Sequence, residues 1–178
     1  MTALERPDLI VPLAITLRVG TQADLPKLEW YGKYAHHRNL FQKAFRDQQF
    51  GRRLILVADS NNFPVGHIFV QFIGQDYTFA DGKKRAYLYS LRVMEMFRGY
   101  GIGTRLIQEA ETAIRNRGFH WSIIAVAKEN QLARQLYERL DYKVFAEEAG
   151  RWSYSDHEGK TRHVHEPCWL LQKYVQLG

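Results

Sequence analysis

Gly99, Gly101 and Gly103 stand at alternate positions in the run Arg98-Gly99-Tyr100-Gly101-Ile102-Gly103-Thr104. Without a Cβ, such a turn lets backbone N–H groups come close to a bound group, and a helix opening just after it aims its positive dipole end at the same place. The chemistry that suits this arrangement is the holding of a phosphate or pyrophosphate. Neither common nucleotide pattern is present. The spacing G-x-G-x-x-G fails at Thr104 and Leu106, and no Gly-Lys-Ser/Thr follows. Taken alone, a tight turn that needs glycine only for packing explains the loop as well as a ligand does.

The flanking elements decide what such a turn could serve. Ala86–Val93 reads as an apolar strand running almost directly into the glycines. Beyond them Leu106, Ile107, Ala110, Ala113 and Ile114 recur at helical spacing, and Gly118 closes that helix. Trp121–Ala127 is a further buried strand, and Leu132, Ala133, Leu136, Tyr137 and Leu140 mark a second amphipathic helix. Strand, helix, strand and helix in this order imply a parallel crossover. Upstream, Ile15–Val19 alternates as a strand, Thr21-x-x-Asp24 resembles a capping box, and the aromatic and His-rich stretch from Asp24 to about Gln49 is expected to form two helices. Arg53–Ala58 and Val65–Ile73 flank an Asn- and Pro-containing turn as a hairpin. Downstream, Tyr142–Phe145 and Arg151–Tyr154 lead through Asp156–Gly159 to Val164 and Cys168–Leu171, expected as a terminal hairpin that brings Trp152 and Trp169 together. Leu9–Ile15 is too short and Pro-broken for a membrane span, and reads as a tail into the first strand.

The chain has 178 residues, 46% hydrophobic and 25% charged, which suits one folded domain rather than a disordered or fibrous chain. The expected unit is one domain over residues 1–178 with its core from about 15 to 173. The net charge of +6 is dispersed through Arg52-Arg53, Lys83-Lys84-Arg85 and Arg115-x-Arg117. With no nucleic-acid motif beside these clusters, solvated surface charge is the expected reading, and neither nucleic acid nor membrane is an expected partner. The single cysteine, Cys168, has no internal disulfide partner, so the expected compartment is the cytoplasm.

With these elements in place the sequence resembles the GNAT family, the Gcn5-related N-acetyltransferases. Arg98-x-x-Gly101-x-Gly103 is similar to the family's pyrophosphate loop, Leu91-Arg92-Val93 to its splayed strand, and Asn130-x-x-Ala133-x-x-Leu136-Tyr137 to its downstream signature. The likeness runs from Ile15 to about Leu171. It implies an α/β fold with a mixed central sheet of about seven strands and helices on both faces. It further implies an acetyl-CoA-dependent N-acetyltransferase that passes an acetyl group to a primary amine by direct attack in a ternary complex. On this likeness Leu91, Arg92 and Val93 hold the acetyl-pantetheine through their backbone. Gly99, Tyr100, Gly101, Ile102, Gly103 and Thr104 hold the pyrophosphate, flanked by Arg98, and Asn130 contacts the pantetheine side. Tyr137 protonates the departing thiolate, as the only catalytic residue it assigns. A phenol with an ordinary pKa of about 10 suits that role, although a lone tyrosine on an apolar helical stripe is otherwise a core aromatic.

The likeness carries over no general base. Ala125 stands where some members place Glu five residues before the Asn, Glu95 stands where many have Pro, and Asp141 replaces a Gly before the aromatic Tyr142. Candidate bases are Glu29, His36, His37, Asp156, His157, Glu158, His163 and His165, each of which an ordinary structural or surface role also explains. His163-x-His165 lacks a third ligand, so no metal is expected, and Cys168 reads as a small buried hydrophobe. The missing base motivates an alternative, a non-catalytic acyl-CoA-binding regulatory module. A homodimer is compatible with either reading.

Overall fold

The computed structural model describes residues 11–176, so Leu9 and Ile10 of the expected tail lie outside the described residues; residues 11–15 form no regular element. Nine strands and three α-helices are present among the described residues: β1 Thr16–Val19, α1 Arg38–Gln49, β2 Arg53–Ser60, β3 Phe63–Gln71, β4 Arg85–Val93, α2 Ile102–Asn116, β5 Trp121–Ala127, α3 Gln131–Arg139, β6 Lys143–Glu148, β7 Arg151–Ser155, β8 Thr161–His165 and β9 Cys168–Tyr174. Seven strands form one sheet in the order β1-β2-β3-β4-β5-β9-β6. Its one parallel pair is β4 with β5, joined by the α2 crossover.

The sheet is buried on both faces, and β2 shows why. Its Leu54, Leu56 and Ala58 pack with α2 residues Leu106, Ile107 and Ala110, while Ile55 and Val57 pack with Phe41 and Ala44 of α1. A strand covered on both sides is expected to read as a continuous apolar run rather than an alternation, as Leu54–Ala58 does.

The structure departs from sequence expectation in two elements. From Asp24 to Gln49 there is one α-helix, preceded by three single 3-10 turns. Pro26 and Gly32 interrupt this stretch, and Trp30 and Tyr31 take left-handed φ values of 43° and 58° that no helix accepts. The Thr21–Asp24 capping box forms, opening the first of these turns. The expected terminal hairpin is also different. β7 pairs with β8, Trp152 facing Val164, as a separate two-stranded sheet. β9 instead enters the main sheet between β5 and β6, so Trp169 belongs to the large sheet and lies under the cations of Lys128 and Arg134.

Two irregularities in β4 open the sheet at one end. Its pairing with β5 runs from Arg85–Trp121 to Leu88–Ile124 and stops there, whereas β5 continues on β9 through Ala127–Cys168. Tyr89–Val93 and Ala125–Ala127 therefore form the two arms of a splay. On its other side β4 carries an extra residue against β3: His67 faces Arg92 and Phe69 faces Tyr89, with Ser90 at φ 55°. A bulge of this kind reverses which side chains face which way. Ala86 and Leu88 before it, and Leu91 and Val93 after it, all pack toward α2, while Tyr87, Tyr89, Ser90 and Arg92 line the opposite face.

Candidate active site

The glycine-rich turn lies at the end of β4. Gly99 and Gly101 have φ values of 82° and 81°, where L-residues are disfavoured, and a Cβ added at either would meet no atom within 4 Å. Their glycine is set by backbone shape, and the space beside them is open. Gly101 caps α2, whose first turn closes with Arg105 N–H donating to Gly101 C=O at 3.0 Å. Among the described residues, no backbone amide from Gly99 through Thr104 finds an acceptor. A row of unpaired N–H groups at a helix start is an anion cradle. Arg98 fastens the turn to the strand by donating from Nε to Val93 C=O at 2.9 Å. Tyr100 is exposed beside it.

The arms of the splay open into a cavity of about 640 Å³. Ser90 and Arg92 reach it from the β4 arm, Ala125 and Ala127 from the β5 arm, and Arg151 and Trp152 from the β7–β8 hairpin. Arg92 Nη1 donates to Ser90 Oγ at 2.9 Å, Nη2 lies 3.3 Å from His37 Nδ1, and the guanidinium stacks over the Tyr34 ring at 4.4 Å. Sequence resemblance assigned Arg92 through its backbone alone. Its side chain faces the cavity on the side away from α2, because of the Ser90 bulge.

Tyr137 is buried on α3, its ring edge-on to Tyr142 at 6.2 Å. Its hydroxyl has no hydrogen-bond partner among the described residues, and burial pushes its pKa up to about 12. Asn130 caps α3: its Oδ1 accepts from Ala133 N–H at 3.1 Å, and its amide NH2 is left without a described partner. Asp141, at φ 69°, occupies the left-handed position that glycine would fill without strain.

The candidate bases scatter. Glu29 is held by Arg38 at 2.6 and 2.8 Å, which lowers its pKa. Asp156 is buried, accepts from Arg162 Nε at 2.7 Å, and helps form the β7–β8 turn. His157, Glu158, His163 and His165 are exposed on the hairpin. Of the set, only His37 lines the cavity. Burial, then the Arg92 charge and His36, hold His37 down to about pKa 4, so its ring is neutral near pH 7. With Nδ1 turned to Arg92, it presents Nε2–H rather than a lone pair. Sequence reasoning did not single out Asp76, Glu148 or Glu166, carboxylates that also line the cavity. Only the chain path brings them together, since they lie on separate turns and strand ends. Cys168 shares this wall, and burial raises its pKa, which keeps it a thiol.

A mixed sheet splayed beside a glycine-rich helix start defines the class, that of an N-acetyltransferase. The family model described as "Acetyltransferase (GNAT) family" matches residues 22–142. The chain belongs to that family. It is 27% identical over 139 residues to thialysine N-epsilon-acetyltransferase of Mus musculus, across 72% of this chain and 79% of the mouse protein. Over 58 residues it is 33% identical to N-alpha-acetyltransferase 30 of Schizosaccharomyces pombe, across 33% of this chain and 39% of that protein. Among solved structures, NAA60 of Arabidopsis thaliana in complex with acetyl-CoA superposes with a TM-score of 0.67 at 19% identity, across 91% of this chain and 99% of that one. The ribosomal-protein-S18-alanine N-acetyltransferase of Escherichia coli gives 0.68 at 17% identity, across 93% and 96%.

Proposed function

We propose that this protein transfers the acetyl group of acetyl-CoA to an amine acceptor held in the cavity, by direct attack with both substrates bound. The observation that carries this reading is the unpaired amide row from Gly99 to Thr104 directly beside the splay. Those amides and the α2 dipole hold the pyrophosphate, and the open space beside Gly99 and Gly101 admits it. The pantetheine arm lies between the strand arms, where the backbone of Leu91 to Val93 has no β5 partner. The Asn130 amide NH2, without a partner among the described residues, is the group assigned to contact it. Solved relatives bound to acetyl-CoA support the donor.

Acetyl-CoA supplies an activated acetyl group, whose carbonyl carbon bonds to the amine nitrogen as the C–S bond breaks. Tyr137 acts at the sulfur, in a particular way. Burial pushes its phenol up to about 12, so it keeps its proton near pH 7 and is available as a donor to the sulfur. Tyr137 therefore donates its O–H to the departing thiolate, as the resemblance implies, and the proton lost by the amine balances the step. Glu148 and Glu166 are the cavity carboxylates that can relay it.

The mouse, yeast and bacterial relatives are named for the N-epsilon of thialysine, an N-alpha position and the alanine of ribosomal protein S18, and the cavity volume accepts either a small amine or the end of a peptide. Release of CoA from acetyl-CoA on mixing with a panel of amines and peptides tests the reading. Tight acetyl-CoA binding without turnover across the panel replaces it with the regulatory module.

A further inference from the structure

The charged groups of the cavity are arranged in a way that the transfer reaction does not require. Arg92 is largely buried on the β4 arm. Among the described residues it makes no ion pair, and its hydrogen bonds go only to a hydroxyl and a neutral imidazole. Arg53, on the same wall, is different: its charge is matched by Asp47 at 3.1 Å. Burying a guanidinium without a counter-charge is costly, and stacking on the Tyr34 ring offsets only part of that cost. Burial accordingly lowers the Arg92 pKa, with Tyr34 and Tyr154 acting the other way. Two of its five N–H donors are used within the protein, and the others have no described partner. On the other side of the cavity, Glu148 at the end of β6, paired with Cys168, and Glu166 just before β9 reach the lining, and neither forms an ion pair among the described residues. The cavity thus sets the Arg92 guanidinium on the β4 arm against the Glu148 and Glu166 carboxylates at the β6–β9 side.

We propose that the acceptor is an amine that also carries a carboxylate, an amino acid or a close analogue, with the carboxylate on Arg92 and the amine turned toward Glu148 and Glu166. This rests on the reading of the cavity as the acceptor site. A planar guanidinium with free donors matches a carboxylate in two-point geometry, which a lysine would not supply. His37 completes the anion site as a neutral Nε2–H donor. The Ser90 bulge is what turns the guanidinium this way, and the Ser90 hydroxyl holds it there.

Amine pairs that differ only in the carboxylate test the proposal: alanine against ethylamine, and lysine against 1,5-diaminopentane. With wild-type protein the carboxylated member should have kcat/KM about 10-fold higher or more. Arg92→Ala should abolish that preference mainly through KM, and Arg92→Lys should restore part of it. Calorimetric titration of the same pairs, with and without acetyl-CoA, reads acceptor binding apart from turnover, and thermal melting confirms that the variants fold. A wild-type preference for the plain amines, or a preference that survives Arg92→Ala in a folded variant, overturns the proposal. Failure of wild-type protein to bind acetyl-CoA refutes the donor reading instead, and the carboxylate preference in binding still decides the role of Arg92.

Discussion

Tyr137→Phe isolates the chemistry at the sulfur with little disturbance elsewhere. The ring stays against Tyr142, and the lost oxygen has no described hydrogen-bond partner, so folding stability should change by less than about 1 kcal/mol and Tm by no more than about 4 °C. A hydrogen bond to a charged group is worth about 1.5–3 kcal/mol, so kcat should fall about 10- to 150-fold. Because the phenol lies at about 12, no limb of the wild-type pH–rate profile between pH 6 and about 10 should belong to it, and the variant's profile should keep its shape. The assay is CoA release under saturating acetyl-CoA, with cofactor affinity measured separately by calorimetry. A kcat within about twofold of wild type would refute the role, since that is well below the energy of one charged hydrogen bond. So would a loss of rate matched by an equal loss of acetyl-CoA affinity, which would make Tyr137 a structural residue.

The glycine turn separates backbone demand from ligand demand. Gly101→Ala places a side chain at φ 81° and should cost about 1–2 kcal/mol of stability in a melting experiment, with acetyl-CoA affinity falling as the cradle shifts. Gly103→Ala lies in ordinary helical geometry, with its nearest contact at Val93 Cγ2, 3.9 Å away, and should gain up to about 1 kcal/mol while binding is retained. Asp24, held by Arg18 at about pKa 2, has a folded value below its unfolded one. Its stabilisation of about 2 kcal/mol is therefore present above about pH 4 and lost as pH falls toward 2; urea midpoints of Asp24→Asn across that range should show the loss already complete at neutral pH. His67 is fully buried among Trp30, Phe41 and Phe69, and burial holds it down to about pKa 3. In the unfolded chain it takes up a proton near 6.5, so wild-type stability should fall as pH drops from 6.5 toward 3. His67→Phe should flatten that fall, leaving the part due to His37.

Local signals made the glycine turn and the elements around it legible. The Gly99–Gly103 alternation, the α2 stripe and the Asn130–Tyr137 spacing each lie within a few residues of the structure they encode, and the resemblance they carry implied the mixed sheet of about seven strands. The cavity depends on long-range pairing instead. The Arg92 side chain reaches the cavity because β4 takes one extra residue at Ser90, and a serine in left-handed geometry announces itself far less clearly than a glycine. Trp152 and Trp169 are separated because β9 finds its partners in β5 and β6, a choice that no local pattern near Cys168 records. Glu148 and Glu166 gain meaning only once those pairings bring them to one wall.

The β7–β8 hairpin carries a consequence for how such a protein changes over time. It shares no ladder with the seven-stranded sheet. It is tied down at its base by Glu166 N–H donating to Gly150 C=O at 3.0 Å, and at its tip by Asn39 Nδ2 donating to Asp156 C=O at 2.6 Å. Lengthening, shortening or replacing the strands between those two ties alters one wall of the cavity without moving the register of β6, β9 or the glycine turn. The shape of the cavity can therefore drift, or be engineered by grafting, while the glycine turn stays under separate selection.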